Sequence, residues 1–300
     1  MIGTARYPGT IGLSGILLLC AVTGQADPLP SGTARRTIDI DGAPIEVHTY
    51  KPEHYSGGPL LVTLHGLGRN AGGYRDYAIP LADRLGLLVI APLFDRARFP
   101  TWRYQAGGIV RAQNQAAAGD MAVEPAENWT GRLILKVIDA VREMEGRPDL
   151  PYYLIGHSAG GQALSRLAAF VPNAARRIVI ANPSTYVWPT RAERFPYGFG
   201  GLPAAFADDA AIRRYLAQPV TILLGTADVN RDADLNVRED AERQGANRHE
   251  RGLNAFRAAQ AAALARQWPF NWRLIEIQGV AHSARRMFDS PQAAQALGAD

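Results

Sequence analysis

"PYYLIGHSAGGQAL", residues 151–164, sets an apolar run against Gly-His-Ser-Ala-Gly and then a helix-forming stretch. Ser158 stands between Gly156 and Gly160, where a strand would stop and a helix start. A strained backbone at one residue needs small neighbours, and the two glycines sit two positions before and after it. A sharp turn there pushes the hydroxyl off the end of the sheet. The N–H groups that open the next helix point at the same spot and favour developing negative charge. Five-residue patterns recur by chance, but the flanking strand and helix make this one specific. The reading is that Ser158 is a nucleophile, against the alternative of a glycine-rich turn with an incidental serine.

Outward from this stretch, short apolar runs recur, each ending in Gly, Pro, Asp or Asn. They are "LLVTLHG" (60–66), "LLVIAPLF" (87–94), "YYLIGHS" (152–158), "RIVIANP" (177–183), "VTILLGTAD" (220–228) and "WRLIEIQG" (272–279). They are continuous rather than alternating, as in strands covered on both faces of a parallel sheet. Helical stretches fill the gaps. In "WTGRLILKVIDAVREME" (129–145), Leu133, Ile134, Val137, Ile138, Val141 and Met144 fall at helical spacing. Residues 160–171 and 251–268 read as further helices. Nearer the amino end, "RTIDID" and "PIEVHTY" around Asp41-Gly42-Ala43 read as a β-hairpin. The rhythm predicts an α/β fold, a mostly parallel eight-stranded sheet with helices on both faces. One domain is expected over 27–300, with a small insertion at about 183–216 rich in Pro, Gly and aromatics.

Charge and cysteine usage set bounds. The formal charge is +4, and Lys51 and Lys136 are the only lysines. Arginine pairs such as Arg35-Arg36, Arg176-Arg177 and Arg285-Arg286 read as solvated surface, so no nucleic-acid partner is expected. "RDADLNVREDAERQGANRHER" (231–251) reads as a solvated loop and helix. Arg6, an uncharged run over 11–24 and small residues up to Ala26 read as a signal peptide, with cleavage near Ala26. That run is short of the roughly 20 residues a membrane span needs, so no stable anchor is expected after cleavage. Export to the periplasm or medium is the expectation. Cys20 is the only cysteine, so the mature chain would carry no disulfide, thiolate metal site or cysteine nucleophile. No calcium-loop spacing occurs among Asp232, Asp234 and Asp240, and no metal or cofactor is expected. Asn128-Trp129-Thr130 matches a glycosylation sequon but reads as a helix start.

A serine hydroxyl needs a base. In sheets of this kind the partners follow in the order serine, acid, histidine. That order points to Asp228, just past "VTILLG", with Asp232 and Asp234 as rivals on the same loop. It points to His282, just past "IEIQG", as the base. His48 and His54 lie in or near the hairpin, His249 in the charged segment, and His65 and His157 come too early in the chain. His65 is expected to shape its loop and His157 to pack beside the turn. The oxyanion hole needs two backbone N–H groups. Ala159 would supply one. Leu67, in "LHGLGRN" after the third strand, would supply the other, with Gly68 the alternative.

With these residues in place, the chain resembles the α/β-hydrolases. More closely it is similar to secreted esterases related to polyhydroxyalkanoate depolymerases and feruloyl esterases. The resemblance spans about residues 36–295 and is carried by His65-Gly66, Gly156-His157-Ser158-Ala159-Gly160, Asp228 and His282, with "LVTLHGLGRNAGGY" and "GHSAGGQ" for the subfamily. It implies hydrolysis of a carboxylic ester, a small molecule or an oligomer, through an acyl-enzyme and without a cofactor. A peptidase, thioesterase or perhydrolase would use the same triad. A hydrolase-like protein that binds without turnover is the alternative of another class. Trp102 and Trp188, with other aromatics of the insertion, are candidates to line an apolar substrate cleft, against the reading that they only pack the insertion down.

Overall fold

The computed structural model describes residues 1–3, 27–111 and 121–298. The expected leader, with Cys20 and Ala26, lies almost wholly outside the described residues. The chain opens with a hairpin, β1 (Gly32–Ile40) and β2 (Ala43–Lys51). Its two-residue turn, Asp41-Gly42, has φ of 55° and 80°. Both positive values are what a turn matching the strand twist requires.

After the hairpin the chain alternates. β3 (Leu60–Leu64), α1 (Ala71–Leu85), β4 (Leu88–Pro92) and the short α2 (Thr101–Tyr104) come first. Then follow α3 (Thr130–Met144), β5 (Tyr152–His157), α4 (Ala159–Phe170) and β6 (Arg177–Ala181). The last part holds α5 (Ala204–Ala207), α6 (Asp209–Leu216), β7 (Val220–Gly225), α7 (Glu239–Glu242), α8 (Arg248–Arg266), β8 (Arg273–Ile277), α9 (Ala284–Phe288) and α10 (Pro291–Leu297). A 3₁₀ turn at Ala126–Asn128 leads into α3, so the sequon does sit at a helix start.

The eight strands form one sheet in the order β1-β2-β4-β3-β5-β6-β7-β8. β1 and β2 pair antiparallel, as do β2 and β4, and every other neighbour is parallel. From β3 the order runs one way to β4 and the other way to β5. This reversal is a topological switch point, and the carboxyl ends of strands flanking one form a crevice.

Both faces of the sheet are covered over β3 to β7, which is why those runs are continuous. Leu60, Val62, Leu64, Leu154 and Ile178 face a core shared with α3, α4, α6 and α8. Leu61, Ile155, Val179 and Leu223 face a second core with α1, α9 and α10. Every residue of β3, β4 and β7 is buried. The insertion follows β6. Tyr186, Phe195 and Phe199 are buried in the larger core, and Trp188 and Phe206 pack against it. Among the described residues no helix is long and apolar enough to cross a membrane.

Candidate active site

β5 ends at His157 and α4 begins at Ala159, leaving one residue for the turn. Ser158 takes φ 57° and ψ −119°. A non-glycine residue there stores roughly 1–3 kcal/mol of strain. Contacts on either side hold it. A Cβ on Gly156 would come within 2.5 Å of the Gly160 carbonyl, and one on Gly160 within 2.2 Å of the Leu64 carbonyl oxygen. The start of α4 is therefore pressed against β3 and β5 at a distance only glycine allows. The Ser158 N–H donates to the Ala181 carbonyl on β6 (2.9 Å).

The loops after β7 and β8 are fastened to each other. The Ala227 N–H donates to Val280 O (3.0 Å) and the Gly279 N–H to Thr226 Oγ1 (2.9 Å). Asp228 lies on the first loop with its side chain 1 % exposed, and His282 on the second. His282 Nδ1 lies 2.6 Å from Asp228 Oδ2, and His282 Nε2 lies 3.0 Å from Ser158 Oγ. A carboxylate only accepts, so the network assigns the proton to Nδ1 and leaves Nε2 free to accept from the serine hydroxyl. Three residues 54 and 124 positions apart thus form one chain of hydrogen bonds. The buried His157 ring lies 4.4 Å from that of His282. Burial holds His157 far below its ordinary pKa, with the nearby His282 and Arg248 adding to the effect, so it is neutral.

The loop after β3 is fixed through its carbonyls. Tyr104 Oη donates to His65 O (2.7 Å) and Arg96 Nη2 to Leu67 O (3.0 Å). His65 Nε2 accepts from the Phe94 N–H (3.1 Å), which places the imidazole proton on Nδ1, and this donates to Gly66 O (3.0 Å). In a trans peptide the N–H points opposite to the C=O, so tying Gly66 O turns the Leu67 N–H the other way. Among the described residues, neither the Leu67 nor the Ala159 N–H has a hydrogen-bond partner. Gly66, Leu67, Ser158 and His282 line one cavity of about 320 Å³. Among the described residues no group of His, Cys, Asp and Glu is arranged to hold a metal ion.

Two departures from the sequence reading concern this neighbourhood. The segment 231–251 is not simply solvated. Arg248 and Arg251 are fully buried. Arg248 grips Asp232 with two bonds of 2.7 Å, and its Nη1 lies 3.6 Å from Asp228 Oδ1, which has no hydrogen-bond partner among the described residues. Arg251 binds Glu242 and the carbonyls of Ser184, Gly245 and Asn236. Asp232 is thus occupied by Arg248, while Asp234 lines the cavity wall. The second departure is Trp188. Trp102 lines a second cavity, of about 470 Å³, but Trp188 lines neither; it packs against the larger core because the insertion folds down onto α4. Tyr197 takes its place in the second cavity.

Compared with protein-family models and with curated proteins, the sequence matches none. Solved structures do match. The poly(3-hydroxybutyrate) depolymerase LpqC from Bordetella parapertussis is 33 % identical, with a TM-score of 0.80 over 90 % of this chain and 91 % of that one. The chain belongs to the α/β-hydrolase superfamily. Poly(aspartic acid) hydrolase-1 from Sphingomonas sp. KT-1 is as similar to this α/β-hydrolase, at 33 % identity and a TM-score of 0.80 over 89 % of this chain and 98 % of that one. An S-formylglutathione hydrolase from Agrobacterium tumefaciens shares the fold alone, at 17 % identity and a TM-score of 0.51 over 91 % of this chain and 98 % of that one. The likeness supports hydrolase activity for this α/β-hydrolase.

Two outcomes follow for stability. Burial lowers His65 from 6.5 to about 4, because a second proton would desolvate a charge and displace the Phe94 N–H. The unfolded chain then binds a proton between those values and the folded chain does not, so stability falls as pH drops from about 6.5 to about 4. This one residue accounts for roughly 3 kcal/mol over that window. Urea unfolding at several pH values should show a shallower acid loss in His65→Asn than in the parent, and equal slopes would refute the assignment. Arg248→Met leaves Asp228 buried beside an unpaired Asp232. It should cost about 3–5 kcal/mol of unfolding free energy, and a loss below about 1 kcal/mol would mean that the buried guanidinium holds nothing together.

Proposed function

We propose that this chain is an exported serine hydrolase that cleaves carboxylic esters through an acyl-enzyme on Ser158. The observation that carries the reading is the unbroken hydrogen-bond chain Ser158 Oγ–His282–Asp228 at the mouth of a cavity. In this reading His282 Nε2 takes the Ser158 proton as Oγ attacks the ester carbonyl. The carbonyl oxygen becomes an oxyanion facing the Leu67 and Ala159 N–H groups. Donors of this kind are worth about 3–4 kcal/mol of barrier each when removed from such sites. Collapse of the intermediate expels the alcohol, to which His282 returns the proton. Water then enters, loses a proton to His282 and releases the acid, restoring Ser158. Asp228 holds the imidazole with Nδ1–H toward itself and stabilises the imidazolium without taking the proton.

Ester cleavage in particular is supported by the depolymerase relative, whose named substrate is a polyester. Export rests on the reading of residues 1–26 alone. A fluorophosphonate probe should label the purified protein at Ser158 and not label Ser158→Ala. On the best ester of a panel varying in acyl length, Ser158→Ala and His282→Ala should each lose on the order of 10⁴–10⁶ in kcat. Undiminished turnover by Ser158→Ala would overturn the reading. Faster turnover of amides or thioesters than of matched oxygen esters would keep the triad and change the substrate class.

A further inference from the structure

We infer that the 470 Å³ cavity beside the nucleophile is a carboxylate-binding subsite, so that the favoured substrate carries an ionised carboxyl group apart from the bond that is cut. The inference rests on the hydrolase reading above and adds a substrate class to it. The cavity adjoins that of Ser158. Asp234 lines both, and Gln162, one turn along α4 from Ser158, lines the larger.

Its wall holds a charge without a counter-ion among the described residues. Three arginines are fully buried among the described residues: Arg166, Arg248 and Arg251. Arg248 has Asp232, and Arg251 has Glu242. Arg166, the one that lines this cavity, has no carboxylate partner among the described residues. Its Nη1 donates to the carbonyls of Gln162 (3.3 Å) and Thr185 (3.0 Å), and its Nη2 to Thr185 Oγ1 (3.1 Å) and Pro196 O (2.7 Å). All four acceptors are neutral, and their residues line the same cavity. Among the described residues the Nε–H has no partner. Burial lowers this arginine only to about 10, so it stays cationic at neutral pH. A buried cation without a counter-charge is costly, and an anion in the cavity removes that cost.

Other groups of the lining point the same way. Arg238 is exposed at the cavity's edge, and its guanidinium has no hydrogen-bond or ion-pair partner among the described residues. Gln162 Oε1 accepts from Thr185 Oγ1 (2.9 Å), which leaves its amide NH₂ to donate. Among the described residues the one carboxylate of the lining, Asp234, belongs to the part shared with the Ser158 cavity and repels a second anion from there. That leaves the region of Arg166 and Arg238 for it. Among the described residues of the lining, two guanidinium charges against one carboxylate leave a single positive charge, which a monoanion such as a carboxylate neutralises. Guanidinium and carboxylate also match in their planar geometry.

The test compares esters of equal length that differ in one charge, using the full chain at low salt. One pair carries the charge on the acyl side: the p-nitrophenyl monoester of glutarate against p-nitrophenyl pentanoate. The other carries it on the alcohol side: 3-acetoxybenzoate against phenyl acetate. At least one charged ester should exceed its neutral partner at least tenfold in kcat/KM, mainly through KM. In Arg238→Gln that ratio should fall toward one, and in Arg166→Gln, if it folds, it should fall further. No preference for either charged ester, or a preference unchanged in Arg238→Gln, would overturn the subsite. If no ester is turned over at all, the hydrolase reading fails separately. Calorimetric binding of glutarate, present in the parent and lost in Arg238→Gln, would then still support the subsite, and its absence would overturn it.

Discussion

The backbone of Ser158 is held at a positive φ by contacts that admit no side chain on Gly156 or Gly160. Everything at the site is arranged around that constraint. Because α4 starts hard against β3 and β5, the serine hydroxyl stands at the switch point of the sheet order, where a crevice forms. Because α4 starts there and not a turn later, the Ala159 N–H is left without an intrahelical acceptor. The loop after β3 lies across the same opening with its carbonyls tied from behind, and the Leu67 N–H turned the other way. Strain at one residue is thus set against the packing of three strands and a helix, which is how a conformation costing a few kcal/mol persists in a folded chain.

Much of this was legible in the sequence. The continuous apolar runs predicted the parallel strands because a strand covered on both faces has no polar side to alternate with. The Asp41-Gly42 pair predicted the hairpin because both residues tolerate positive φ. Order along the chain pointed to Asp228 and His282, and the structure brings both to Ser158. Their catalytic roles are part of the proposal and rest on that geometry. What stayed hidden depends on which distant groups meet. Nothing in the composition of 231–251 distinguishes Arg248 and Arg251 from the exposed arginines around them, since burial of a guanidinium depends on acceptors supplied by Ser184 and the 228–236 loop. Trp188 and Tyr197 are both aromatics of one irregular segment. Only the packing of that segment on α4 decides which faces a cavity.

The buried arginines give the region its electrostatic character. Arg248 lies between two carboxylates, one of which reaches His282. Removing Arg248 would leave the buried Asp228 carboxylate without its neighbouring cation, a more costly state than the intact group. Arg251 ties the 236 and 245 backbones to the start of the insertion at Ser184. Together they keep the loop after β7 in place, and with it the carboxylate that orients the imidazole. Arg166 fastens the insertion to α4 through neutral acceptors and so leaves its charge to the cavity. The same residue type thus anchors the loop that carries Asp228 and lines the cavity beside that of Ser158.

The proposed mechanism requires that Ser158 Oγ become covalently bonded to the acyl group of the substrate. Rapid acid quenching during turnover of a slowly deacylated ester, followed by peptide mass spectrometry, measures this directly. The predicted result is an acyl adduct on the peptide containing Ser158, absent when His282 is replaced by alanine. Turnover without any adduct at that residue, or with the acyl group on another side chain, would contradict it.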